Sequence, residues 1–176
     1  MNVLTSVTST TYLGWKKSTL QIVAAQPTDS DTIVALFGAL HSYNASLDTH
    51  FALADDWQAL LRQEFSETCQ RSDKLWLLVK NGCQAVGLLI AGIHTDSPMF
   101  KHRQWVEVEA LYVADNHRCM GLAHALLNRA YSWAEANDMA RVQLYVTASN
   151  ERAQSIYAEQ GFSITQAIMR KSLHLY

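Results

Sequence analysis

Between Val106 and Leu127 an apolar stretch runs through Ala114-Asp115-Asn116-His117-Arg118-Cys119-Met120-Gly121-Leu122-Ala123 into a helical pattern. A strand, a short loop and a helix start, in that order, gather free backbone N–H groups and the positive end of a helix dipole at one point, which suits a pyrophosphate. Gly121 and Ala123 are small enough to let such a group approach the backbone. On spacing alone an ordinary strand-to-helix turn fits equally well, because one Gly and one Ala are less than a glycine-rich loop. Just upstream, Glu107 and Glu109 stand two apart in the strand and so share a face, where a carboxylate pair can raise the proton affinity of one member.

Other elements must hold these residues. Residues 19–25 read as a first strand, and Asp29 or Ser30 can cap a helix whose Ile33, Leu36, Phe37 and Leu40 recur at helical spacing as one buried stripe. After a polar stretch over 41–56, the set Trp57, Leu60, Leu61 and Phe65 predicts a second amphipathic helix that fades near Arg71. Residues 75–80 and 84–93 flank Asn81-Gly82 as a β-hairpin, since Asn-Gly tolerates the positive φ of a tight turn. A strand over 105–113, a helix bearing Leu122, Leu126, Ala130 and Trp133, a strand over 141–147, a short helix over 152–160 ended by Gly161, and a closing strand over 162–173 complete the chain. The order β-α-α-β-β-β-α-β-α-β predicts an α/β fold: one mixed, mostly antiparallel sheet of about six to seven strands flanked by about four helices.

Composition narrows the partners. The chain of 176 residues with 49% hydrophobic side chains is ample for one core, and neither a linker nor a repeat divides it. We expect a flexible tail over 1–18 and one domain over 19–176. The 14 basic and 16 acidic side chains nearly cancel, which argues against nucleic acid or an anionic membrane as the partner and for a small molecule. Apolar runs such as 75–79 and 85–93 fall short of the roughly 20 residues of a membrane span. Cys69, Cys83 and Cys119 form neither a disulfide framework nor a zinc pattern, and the seven histidines include no close pair at ligand spacing. We therefore expect a cytoplasmic protein without a metal.

The segment Arg118-Cys119-Met120-Gly121-Leu122-Ala123 resembles the Arg/Gln-x-x-Gly-x-Gly/Ala motif of the GCN5-related N-acetyltransferase (GNAT) superfamily. Its surroundings are similar too: the strand Glu109-Ala110-Leu111-Tyr112-Val113 before it, then a helix, a strand, Asn150, and Tyr157 ahead of Gly161-Phe162. The likeness is specific over about 105–171. It departs in Cys119, where Gly is common, and in Asp115, where Pro is common. What it implies is acetyl-CoA as cosubstrate, with backbone groups of Leu111, Tyr112 and Val113 pairing with the pantetheine arm as if it were an added strand. Arg118 opens the motif, and the amides of Cys119, Met120, Gly121, Leu122, Ala123 and His124 would hold the pyrophosphate. Asn150 would bond the same arm, or else cap the helix that follows it.

Acetyl transfer to an amine needs a neutral nucleophile, a stabilised oxyanion and a proton for the departing thiolate. By the resemblance Tyr157 is the general acid, the alternative being a core tyrosine. Glu107 matches the base position of the histone-type branch and Glu109 that of the diamine branch; Glu109 is preferred, with a solvated strand residue or an ordered water as the other readings. The resemblance implies an N-acetyltransferase acting by direct attack in a ternary complex on a small-molecule amine. A protein lysine or N-terminal acetyltransferase, or a non-catalytic acyl-CoA-binding module, are the alternatives. Homodimerisation, common in the family, stays open. The acids of the 41–56 stretch would favour a cationic acceptor.

Overall fold

The computed structural model describes residues 9–10 and 19–173. Apart from Ser9–Thr10, the tail expected over 1–18 lies outside the described residues. The elements in chain order are β1 (Ser9–Thr10), β2 (Thr19–Ala24), α1 (Ser30–Leu47), α2 (Trp57–Thr68), β3 (Lys74–Asn81), β4 (Gln84–Thr95), β5 (Gln104–Val113), α3 (Leu122–Ala136), β6 (Val142–Leu144) and α4 (Glu151–Glu159). The six described strands form one sheet in the order β1-β2-β3-β4-β5-β6. Every pairing is antiparallel except that of β5 with β6. This is the mixed sheet expected, with four helices around it.

Two apolar clusters sandwich the sheet. On one side Leu122, Leu126, Leu127, Ala130 and Ala134 of α3 pack on Leu77, Val79, Leu89, Val106 and Val108. On the other, Ile33 and Leu36 of α1 and Leu61 and Phe65 of α2 pack on Trp76, Leu78, Leu88, Ile90 and Ala110. Burying each Leu, Ile, Val or Phe of these sets contributes about 1.5–3 kcal/mol, so these stripes dock the helices firmly. Leu60, expected in the α2 stripe, is instead exposed.

One irregularity shapes the site. In the β4–β5 ladder Ala91 faces Val108 and Ile90 faces Ala110, so Glu109 is an extra residue in β5, a β-bulge. Before it Val106 and Val108 face α3; after it Ala110 and Tyr112 turn to the α1/α2 side, while Leu111 and Val113 face α3.

The expected closing strand does not form, and residues 162–173 carry no regular structure. The reason lies in β6, which pairs over only Val142–Leu144 rather than the expected 141–147 and so offers a short ladder. Ile164, Ile168 and Met169 consequently stay largely exposed. Arg170 reaches across to the Asp48 carboxylate and lies over the Phe51 ring, 5.7 Å from its centroid.

Candidate active site

The bulge at Glu109 is where β5 and β6 part. Val106, Glu107 and Val108 pair with Val142, Gln143 and Leu144, and beyond them no described strand joins the outer edge of Leu111–Val113, whose inner edge pairs with Leu89, Leu88 and Gly87. An extended ligand can lie along that edge as a further strand.

The edge leads into the loop. A short 3-10 turn at Asp115–His117 precedes Arg118, whose Nε donates to the Val113 carbonyl at 3.1 Å and whose guanidinium pairs with Asp115 at 2.6 Å. Arg118 also lies 5.9 Å from the centroid of the Tyr43 ring on α1. Its charge therefore clasps the loop to the strand. Cys119 (φ 61°) and Gly121 (φ 73°) both adopt the left-handed conformation, and Gly121 is the N-cap of α3. A Cβ built on Gly121 would meet no atom within 4 Å, so the space above it is open. The helical bonding begins with Ala125 N–H to the Gly121 carbonyl at 3.0 Å, which leaves the amides of Leu122, Ala123 and His124 directed out of the helix N-terminus. Met120 is exposed beside them, and the His124 ring faces Glu159 of α4 at 3.5 Å. Arg152, not singled out in the sequence, brings its guanidinium within 4.0 Å of the Cys119 sulfur and adds a cation at the loop.

Tyr157 and Glu109, the residues expected as acid and base, lie on opposite faces of the sheet. Tyr157 packs in the α3-side cluster with Leu111, Val113 and Leu122, its ring edge-on to Phe162 at 5.7 Å. Burial, and secondarily the nearby Tyr131 hydroxyl, pushes its phenol up to about 12. The Tyr131 oxygen is itself buried without a hydrogen-bond partner among the described residues. On the α1/α2 side Glu109 pairs with Lys74 at 2.6 Å. Its carboxyl is raised above the ordinary value first by burial, against the pull of Lys74, with Glu64 and Glu107 adding smaller like-charge contributions. The Glu107 carboxylate, expected to perturb it, is thus the weakest of these influences. Glu107 accepts from the Trp105 indole at 3.3 Å.

Asn150 caps α4, its Oδ1 accepting from Ala153 N–H at 3.2 Å. In the 41–56 stretch, Asp48 is spent on the His50 amide and Arg170, which hold its carboxyl down at about 2, and His41 is lowered by burial. Among the described residues no three His, Cys, Asp or Glu side chains gather into a metal-binding group, and no helix is long and apolar enough to cross a membrane.

The model of the acetyltransferase (GNAT) family matches residues 40–162, well over half of the chain and all of the site above. The chain belongs to the GNAT family. As a member it is an acetyl-CoA-dependent N-acetyltransferase. A probable N-acetyltransferase of Mycobacterium tuberculosis is 25% identical over 152 residues, 85% of this chain and 83% of that protein. The fold is shared with an aminoglycoside antibiotic 6'-N-acetyltransferase of Acinetobacter baumannii (TM-score 0.69, 17% identity, 89% of this chain and 99% of that one). It is also shared with an aminoglycoside N-acetyltransferase solved in complex with CoA (TM-score 0.73, 16% identity, 93% and 100% covered).

Proposed function

We propose that this GNAT enzyme acetylates a primary amine of a small molecule by direct attack in a ternary complex, at the gap where β5 and β6 part. That gap carries the reading, since it joins a free strand edge to a helix N-terminus and lies between the partly buried Tyr157 phenol and the Glu109 carboxylate, whose side chain is 35% exposed. Backbone groups of Leu111, Tyr112 and Val113 bind the pantetheine arm, and the amides from Cys119 to His124 take the pyrophosphate beside Arg152. Asn150 spends its oxygen on the α4 cap, so its amide nitrogen is the group that reaches the arm.

Glu109 receives the amine proton, directly or through water, with Glu107 beside it, and Tyr157 protonates the sulfur. A small acceptor is supported by structural neighbours named as aminoglycoside acetyltransferases.

The test is a screen of polyamines, aminoglycosides, amino acids and a lysine peptide with acetyl-CoA, read by release of free thiol. Turnover confined to the peptide would replace the small-molecule reading. Coenzyme binding without turnover on any amine would make the chain an acyl-CoA-binding module.

The pyrophosphate assignment has its own check. CoA, binding only the folded state, raises Tm, and Gly121→Val is expected to abolish that rise. The positive φ costs a β-branched residue about 1–2 kcal/mol, so the variant melts a few degrees lower yet folds. A folded variant that still gains the full CoA shift would place the pyrophosphate elsewhere.

A further inference from the structure

Lys74 opens β3 and is mostly enclosed, its side chain 13% exposed. An ammonium leaves water only where charge and hydrogen bonds replace its hydration. Here two carboxylates do so: Glu109 Oε2 at 2.6 Å and Glu64 Oε1, from α2, at 2.8 Å. The Trp76 ring lies 5.6 Å below. The two carboxylates outweigh the desolvation, and the lysine is held more firmly protonated than in water.

The surrounding backbone accommodates this pair. Gly92 stands opposite Lys74 in the β3–β4 ladder, and a Cβ there would fall 2.8 Å from Glu109 Oε1 and 3.3 Å from Lys74 Cδ. The absent side chain thus admits both partners. Glu109 reaches the spot from the bulge. The cavity beside it is also walled by Thr68, Arg71 and Asp73. Arg71 and Asp73 satisfy each other, with Nε to Oδ1 at 2.8 Å.

We propose that Lys74 is a positioning residue for acetyl transfer, gripping Oε2 of Glu109 so that the carboxylate stays charged and presents Oε1 to the cavity. This rests on the reading of Glu109 as the base. Of the groups that act on Glu109, burial, Glu64 and Glu107 all favour the protonated carboxyl, and Lys74 alone opposes them. Without Lys74 the carboxyl would hold its proton to higher pH and could not accept another.

Lys74→Met and Lys74→Arg are compared with the unmodified enzyme by two measurements across pH: the profile of kcat/KM, and the ¹³C titration of the Glu109 side-chain carboxyl, assigned by its loss in Glu109→Gln. Losing an opposite charge at this distance is expected to move the titration and the acid limb of the profile upward together by about one pH unit or more in Lys74→Met. Lys74→Arg, which keeps the charge, should restore most of both. Glu64→Gln on the surface removes a like charge and should move the titration the other way, which serves if Lys74→Met fails to fold. A Lys74→Met enzyme slowed equally at every pH, with the Glu109 titration in place, would make Lys74 a structural ion pair and overturn the proposal. A shifted titration beside an unmoved acid limb upholds the Lys74–Glu109 linkage and removes Glu109 as the base, so the two readings fail separately.

Discussion

Tyr157→Phe is expected to lower turnover by about 10²-fold while leaving CoA binding intact, the usual loss for a general acid. The substitution removes one oxygen and keeps the ring that packs edge-on to Phe162 in the α3-side cluster. A phenol at about 12 is fully protonated at neutral pH, so a proton is always available. It is also a weak acid: complete transfer to a free thiolate of pKa near 8.5 would be uphill by roughly three to four units. The hydroxyl therefore works best as a hydrogen-bond donor to the sulfur that releases its proton as the C–S bond breaks. Single-turnover kinetics test this directly. A chemical step of unchanged rate in Tyr157→Phe would assign the proton to another donor, whereas a slowed chemical step hidden behind product release would keep the assignment.

For Glu109→Gln the expected result is a defect in kcat/KM that is largest at the acid end of the range in which Glu109 is ionised and shrinks as pH rises. A free amine has a pKa of about 10, by analogy with lysine, so near neutrality the reaction must dispose of a proton. Partial desolvation raises the Glu109 carboxyl, although its side chain keeps 35% of its surface open to solvent, and so brings its proton affinity closer to that of the amine. The sign follows. Below its raised pKa Glu109 is protonated and the unmodified enzyme slows too; above it the carboxylate accelerates the reaction; near pH 10 much of the amine is already neutral and the advantage fades. Glu107→Gln, whose carboxylate faces the Trp105 indole, should show the smaller effect. Profiles from pH 6 to 10 on both variants decide the matter, and a defect of constant size in each would mean that these carboxylates attract or orient the amine without taking its proton.

The loop and its helix were legible because their signals are local. The small residues Gly121 and Ala123 and the stripe Leu122, Leu126 and Ala130 act within a few residues of one another, and the structure has the stripe on the sheet and Gly121 at the helix start. The hairpin was equally legible, with its turn at Gly82–Cys83, one residue beyond the Asn81-Gly82 pair. Legibility faded where an outcome depended on a distant partner. Residues 162–173 look like a strand, yet a strand needs a neighbour with room to pair, and β6 is too short to be one. Leu60 fits the helical stripe but lies at its margin and ends in solvent.

The sequence by itself thus determined the order of elements from β2 to α4 and the family motif, since periodicity, capping and turn chemistry are set by near neighbours along the chain. Only the tertiary structure decided how those groups are tuned. Lys74 meets Glu109 across 35 residues, Arg170 meets Asp48 across 122, and Tyr131 comes beside Tyr157 through the packing of α3 and α4 on one cluster. The bulge that turns Glu109 toward Lys74 exists only in the pairing of β5 with β4. Proton affinity depends on burial and on charges a few ångströms away, and those distances come into being only when the sheet closes.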